Sequence, residues 1–459
     1  MAELIFDTRA ERLRAMLSGK GQRYFVRTFG CQQNEADSER IAGVLEYLGY
    51  LPADSEQDAD IIIVNTCAIR EHAEMKVYSL LGTYKAIKQK NPELLVGVVG
   101  CMAAEAHNIE RLKRDFHFVT FTLEPGEFHK IPSLIYERLV SGRRSFIPPL
   151  ENHEIHEGIP AVRRSDFRAW VSIMYGCNNF CSYCVVPYVR GRERSRRSED
   201  ILAECRTLVC SGVKEITLLG QNVNSYKSDI SFAALLSRIA EIPGDFTVTF
   251  MTAHPKDTTD ELISVMARYR GKISPYFHLP LQSGSNKILR LMNRTYTRES
   301  FMETAMKLRS SIPNISISTD VIVGFPGEGD EDYLDTLDVL SRVRFDLVFG
   351  FIYSKRRGTK AAEMDGQVPE DVKSERLHSL LKMQDGISYG RNEAFLGKTL
   401  RVLATDVEGD SVAGLYRGRA ENQKTVHFIG KDITVGEFYD VKINKIQAFD
   451  LFGEAIKEK

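Results

Sequence analysis

Six short apolar runs rich in Val, Ile, Phe and Thr recur between residues 169 and 353, and they constrain the fold more than any other feature. They cover residues 169–174, 215–219, 247–251, 276–280, 316–323 and 347–353. The segments between them are mostly long enough for a crossover helix. A strand followed by a helix and then a parallel strand is the βαβ unit, and its crossover is right-handed. Six such units in a row predict a partial (β/α)6 barrel, whose ligands collect at the carboxyl ends of the strands.

Shorter patterns flank this core. Residues 22–28, 60–65 and 94–99 read as strands, the last two as buried runs. Helical periodicity follows each, and Asp37-Ser38-Glu39 marks the start of the helix that ends near Gly49. This predicts an N-terminal parallel-sheet α/β domain. After about residue 397 the pattern becomes 400–408, 411–417, 425–428 and 438–449, with Gly and Asp between, which predicts a small OB-like β-barrel. The expected division is 22–140, a linker at 141–165, 166–392 and 393–456. The linker carries Pro148-Pro149 and several His and Glu residues without periodicity.

Charge excludes one class of partner binding. Lys and Arg total 61 against 62 Asp and Glu, a net charge of −1, so any nucleic-acid contact rests on local patches. No apolar run approaches the ~18 residues of a membrane span. The first twenty residues hold no secretory apolar stretch, so the expected location is cytoplasmic and reducing. The eight cysteines are then expected in metal or catalytic roles rather than disulfides.

Cys177, Cys181 and Cys184 form C-x-x-x-C-x-x-C directly after the first core strand. No fourth Cys or His follows within fifteen residues, which disfavours a closed zinc site. Three thiolates suit a 4Fe-4S cluster with one iron open to a ligand. Buried inert thiols are the plain alternative. Cys31, Cys67 and Cys101 are far apart in sequence, yet each follows a predicted parallel strand. They could therefore converge at one sheet edge, or be small buried residues that end strands.

These strings carry a resemblance. The cysteine loop after the first strand of a βα barrel resembles the radical S-adenosylmethionine (SAM) superfamily. Thr28-Phe29-Gly30-Cys31-Gln32-Gln33-Asn34, Asn65-Thr66-Cys67-Ala68-Ile69-Arg70-Glu71 and Gly100-Cys101-Met102-Ala103 are similar to the methylthiotransferase family within it. The match spans an N-terminal methylthiotransferase domain, the radical SAM core and a C-terminal TRAM domain. Further strings fit the branch that acts on isopentenylated adenosine, among them Arg190-Gly191-Arg192-Glu193-Arg194-Ser195-Arg196 and His278-Leu279-Pro280-Leu281-Gln282-Ser283-Gly284. The resemblance implies a methylthio group added to C2 of N6-isopentenyl-adenosine beside the anticodon of tRNA. It implies two 4Fe-4S clusters and SAM as both radical source and methyl donor. The Cys177/Cys181/Cys184 cluster would cleave SAM to a 5′-deoxyadenosyl radical, and the Cys31/Cys67/Cys101 cluster would be the site of sulfur donation. An electron donor such as flavodoxin or ferredoxin and a monomeric state complete the expectation.

Remaining SAM contacts are expected at strand ends: Tyr183, Gln221, Asn222, Gln282, Ser283 and Asp320. Each competes with a local capping role. Candidate RNA contacts are Arg190, Arg192, Arg194, Arg196, Lys355, Arg356, Arg417, Arg419 and Lys424, against the alternative of solvated or paired charges. Cys205 and Cys210 read as core residues. Gly324 to Gly327 lacks Gly-Lys-Ser/Thr and reads as a βα turn rather than a phosphate loop. Two rival targets stay open, threonylcarbamoyl-adenosine in tRNA and an aspartate of a ribosomal protein. So does an RNA-binding protein with structural clusters, or a zinc protein.

Overall fold

The computed structural model describes residues 6–68, 71–150, 154–409 and 414–456, and the backbone alone at 71–73. These residues form two compact units. One comprises the described residues up to 164 with 175–178 and 184–194, and the other comprises residues 165–174 and 179–183 with the described residues from 195 onward.

The first unit is a parallel sheet of β1 (Arg23–Thr28), β2 (Leu51–Pro52), β3 (Ile61–Thr66), β4 (Leu95–Gly100), β5 (Phe121–Leu123) and β6 (Ser145–Phe146). Their spatial order is β2-β1-β3-β4-β5-β6. Every residue of β3 and β4 is buried. Successive side chains of a strand point to opposite faces. Ile61 and Ile63 accordingly enter one core, and Ile62 and Val64 enter the other. The sheet has six strands where the sequence predicts three. β2, β5 and β6 are two or three residues long, too short to register as apolar runs. β6 also takes the start of the predicted linker into the sheet by pairing with β5.

Helix α1 (Thr8–Leu17) precedes β1, and helix α2 (Gln32–Tyr47) positions site residues. α2 starts at Cys31, not at Asp37 as its capping pattern predicts. Asp37, Ser38 and Glu39 are buried inside it as tertiary hydrogen-bond partners. Ser38 Oγ accepts from Asn65 Nδ2 at 2.9 Å, and Glu39 accepts from Arg163 at 2.8 Å.

The second unit holds β7 (Arg168–Ser172); the two-residue elements β8 (Met174–Tyr175) and β9 (Arg194–Ser195), on either side of the cysteine loop in the chain, fall where the division between the units crosses the chain. The second unit continues with β10 (Glu215–Leu219), β11 (Thr247–Phe250), β12 (Tyr276–His278), β13 (Ser316–Val323) and β14 (Leu347–Ile352). The long strands form two parallel three-stranded ladders, β11-β10-β7 and β12-β13-β14. A single parallel bridge from Val248 to Ile273 extends β11 towards β12. Phe246, Phe250, Phe277, Phe301 and Phe345 fill the core between strands and helices. Cys205 lies in that core as expected, whereas Cys210 is exposed at its helix end.

The C-terminal strands β15 (Thr399–Val407), β16 (Leu415–Ala420), β17 (Thr425–Ile429), β18 (Phe438–Ile446) and β19 (Asp450–Ala455) close a barrel in the order β15-β16-β17-β19-β18. The strand predicted at 438–449 ends at Ile446, because Gln447 N–H donates to the Asp450 carbonyl and turns the chain into β19. Residues 411–413 of another predicted strand lie outside the described residues. The barrel is fixed to the βα layer through Asp346. Its carboxylate meets Lys424 at 3.1 Å, Arg309 at 3.1 Å and Arg391 at 3.4 Å, and accepts from Ile317 N–H at 2.9 Å.

Candidate active site

In the first unit, β1, β3 and β4 are adjacent and parallel, with Thr28 opposite Asn65 and Thr66 opposite Gly100. Their carboxyl ends therefore lie side by side, and Cys31, Cys67 and Cys101 follow them. Close approach is visible in the glycines. Gly30 has φ +125°, and a Cβ there would stand 2.8 Å from Cys67 Cβ. Gly100 has φ +90°, and a Cβ there would stand 2.6 Å from the Thr66 carbonyl. Only glycine fits these two positions, one residue before a cysteine in each case. Cys67 and Cys101 are buried and Cys31 is exposed.

Asn34 ties the first two of these ends together. Its Nδ2 donates to the Thr66 carbonyl at 2.8 Å, and its Oδ1 lies 3.4 Å from Cys31 Sγ. Arg190 is buried beside them and donates to Asp37 at 3.0 Å. Burial pushes the Cys101 thiol up, and the Arg190 guanidinium opposes this. Burial would also lower Arg190, but the charges of Cys101, Asp37 and Cys31 outweigh it and keep the side chain cationic. A fixed cation beside Cys101 and Cys31 suits a donor set that binds metal as thiolates.

Residues of the Cys177-Cys181-Cys184 loop belong to both units, and each part is held within its own unit. In the first, Cys177 N–H donates to the Gly191 carbonyl at 3.1 Å, and Asn178 N–H donates to Glu193 at 3.1 Å. Gly176 has φ +78°, and a Cβ there would meet the Arg192 carbonyl at 2.1 Å. In the second, Asn293 donates to the carbonyls of Asn179 and Phe180 at 3.1 and 3.0 Å. Ser182 donates to the Leu291 carbonyl at 2.8 Å. Arg294 lies 3.4 Å from Cys181 Sγ and is buried. Sequence reasoning missed Arg294, since no motif marks it; only the fold carries it to the loop.

The expected SAM contacts divide. Asp320 on β13 is half-buried and 3.3 Å from His278 Nε2. His278 Nδ1 is 2.9 Å from Ser318 Oγ, which fixes the ring. Gln282 has φ +66° and donates its N–H to the Asp320 carbonyl at 2.8 Å. Gln221 follows the end of β10 and is half-buried. Tyr183 packs edge-on against Phe325 at 6.4 Å. Asn222 is buried with Nδ2 on Asp257 at 2.8 Å, and its Oδ1 has no partner among the described residues. Ser283 is fully buried and accepts from Ser285 N–H at 3.2 Å, a contact that shapes the turn. Gly324 is a turn residue with φ +70°, and its N–H donates to Glu328 at 2.8 Å.

Three RNA candidates are buried with partners of their own. Arg190 is buried on Asp37. Arg196 is buried on the Ser172 carbonyl and Glu204. Lys424 is buried on Asp346. Burying a charge needs a partner, and each of these three has one that a phosphate would have to displace. Arg194 is half-buried and donates to the Arg192 and Arg190 carbonyls. Arg192, Lys355, Arg417 and Arg419 are exposed and Arg356 is half-buried. Arg417 pairs with Asp406 at 2.9 Å on the surface.

The fold and the cysteine loop define a protein of the radical SAM class. The profile described as Radical SAM superfamily matches residues 171–340, Uncharacterized protein family UPF0004 matches 23–123, and the TRAM domain matches 393–456. Among solved structures, the radical S-adenosylmethionine methyltransferase TsrM from Kitasatospora setae aligns with a TM-score of 0.53 at 12% identity. That alignment covers 74% of this chain and 75% of that one. The cobalamin-dependent S-adenosylmethionine radical enzyme OxsB gives 0.51 at 11% identity, covering 79% and 56%. These likenesses establish the fold. Curated relatives are far nearer in sequence. The tRNA-2-methylthio-N(6)-dimethylallyladenosine synthase of Caldicellulosiruptor saccharolyticus is 46% identical over 96% of this chain and 93% of its own length. That of Carboxydothermus hydrogenoformans is 47% identical over 94% and 98%. The chain belongs to the tRNA-2-methylthio-N(6)-dimethylallyladenosine synthase family.

Proposed function

We propose that this protein is a radical SAM tRNA methylthiotransferase that adds a methylthio group to C2 of N6-isopentenyl-adenosine beside the anticodon. The observation that carries the reading is the meeting of three adjacent parallel-strand ends at Cys31, Cys67 and Cys101, in a chain that also bears the Cys177/Cys181/Cys184 loop. A C2–H on adenine is not acidic enough for base catalysis, and such chemistry belongs to a cofactor that the protein binds and orients. Two 4Fe-4S clusters with SAM would supply the electron, the hydrogen-abstracting radical and the sulfur.

The residues divide that work. Cys177, Cys181 and Cys184 hold one cluster and Cys31, Cys67 and Cys101 the other, each leaving one iron for a further ligand. Arg294 beside Cys181 and Arg190 beside Cys101 set positive charge against the thiolates and restrain their side chains. Asp320, oriented by His278, together with Gln221, Gln282 and Tyr183, forms the polar surface offered to SAM. Asn222 Oδ1 stands ready as an acceptor behind them. Arg192, Lys355, Arg356, Arg417 and Arg419 are the cations offered to tRNA phosphates. A low-potential flavodoxin or ferredoxin serves as electron donor, and the chain acts as a cytoplasmic monomer. Among the described residues no helix is long and apolar enough to cross a membrane.

The test is anaerobic turnover with isopentenylated and with threonylcarbamoylated tRNA, followed by mass spectrometry of the nucleosides. Methylthio product on the isopentenylated base alone supports the reading. Product on the threonylcarbamoylated base alone would transfer the enzyme to the rival target. Failure to form 5′-deoxyadenosine at all would favour an RNA-binding protein with structural clusters.

A further inference from the structure

Beyond the six cysteines, the first unit contains a second kind of donor cluster. β5 ends at Leu123, and the chain turns at Gly126, which has φ +92°, into a short 3-10 turn over Phe128–Lys130. Phe128 is fully buried and anchors that turn in the core. Glu127 and His129 are thereby fixed on either side of it. His156 comes from the aperiodic, His- and Glu-rich segment at 141–165. It stacks on His129 with ring centroids 3.9 Å apart and planes at 46°.

The distances are informative. His156 Nε2 is 3.6 Å from Glu127 Oε1, and His129 Nε2 is 3.9 Å from Glu127 Oε2. These are too long for hydrogen bonds. The first is close to, and the second somewhat longer than, the separation of about 3.3–3.5 Å that N and O atoms take when they share a tetrahedral ion at about 2.0–2.1 Å. One donor atom from each of the three residues lies within 4.8 Å of the others. Glu127 is 3% exposed, and His129 Nδ1 is buried without a hydrogen-bond partner. A buried carboxylate facing two imidazoles wants a cation between them. Lys130 meets only one of its oxygens, at 2.7 Å. Two histidines and one glutamate are an established set for zinc with a fourth position left to water.

We propose that Glu127, His129 and His156 form a divalent-metal site that takes Zn2+ and clasps residue 156 to the carboxyl edge of the N-terminal sheet. The ion is separate from both iron–sulfur centres. Its ligands are nitrogen and oxygen, whereas theirs are thiolates.

The experiment uses the holoenzyme, isolated anaerobically from zinc-supplemented cells with its clusters intact, and measures zinc and iron together. About one zinc per chain is expected. His129→Ala and His156→Ala should each lower zinc more than tenfold at unchanged iron content. Zinc-edge X-ray absorption should show only nitrogen and oxygen neighbours at about 2.0–2.1 Å. Should an alanine variant lose iron as well, Glu127→Gln decides, since it preserves shape and removes the charge. No zinc in the wild type, zinc retained in Glu127→Gln or in the histidine variants, or sulfur neighbours at about 2.3 Å would each overturn the proposal.

Discussion

Arg190 donates a 3.0 Å hydrogen bond to Asp37, and both side chains are at most 5% exposed. The pair joins the segment after the C-x-x-x-C-x-x-C loop to the helix that starts at Cys31. Removing one member leaves an uncompensated buried charge, at a cost of about 3–5 kcal/mol. Arg190→Met and Asp37→Asn should each lower the thermal midpoint and accelerate hydrogen exchange in α2. Exchange as slow as in the wild type would show that the pair does not hold the helix.

The two cysteine triads should separate by iron count. Wild type is expected to carry about eight irons, and the Cys31→Ala/Cys67→Ala/Cys101→Ala variant about four. Cys181→Ala should abolish 5′-deoxyadenosine formation, whereas Cys67→Ala should retain it and lose sulfur insertion. Four irons in both proteins would refute a second cluster.

His254 gives a pH dependence. Burial, reinforced by the charges of Arg294 and Lys256, depresses its pKa from 6.5 to about 2. Below pH 6.5 the unfolded chain binds a proton that the folded chain refuses. Stability should therefore fall on acidification, by about 1.4 kcal/mol per pH unit from this residue once below pH 6.5. His254→Gln should flatten that part of the profile, measured as denaturation midpoint against pH. An unchanged slope would assign the acid sensitivity elsewhere.

Asp346 collects three cations and one backbone N–H under the C-terminal barrel. Asp346→Asn should cost about 3–5 kcal/mol, because Lys424, Arg309 and Arg391 then repel one another in a buried site. The barrel should melt earlier in the variant. Identical melting would mean that other contacts fix the barrel.

Salt dependence distinguishes the surface cations from the buried ones. Arg417→Ala and Lys355→Ala should each reduce the slope of log binding constant against log salt for tRNA by about one. Lys424→Met should leave that slope unchanged while lowering stability. A reduced slope for Lys424→Met would return it to the RNA surface.

Sequence determined the elements whose signal is local. The buried runs of β3 and β4, the six βα units and the spacing of Cys177, Cys181 and Cys184 were legible because strand periodicity and loop ligands act over a few residues. Weak or nonlocal features were not. β2, β5 and β6 carry too few residues for a pattern and exist only because neighbouring strands pair with them. Asp37, Ser38 and Glu39 mimic a helix start, yet the fold buries them as tertiary partners and starts α2 at Cys31. Cys31, Cys67 and Cys101 could be grouped only through strand order, which the structure supplies. Arg196, Lys424 and Arg419 look alike as letters. The tertiary structure alone placed Glu204 beside the first and Asp346 beside the second, and left the third at the surface. Burial and the presence of an opposite charge are properties of the whole fold, and no window of sequence contains them.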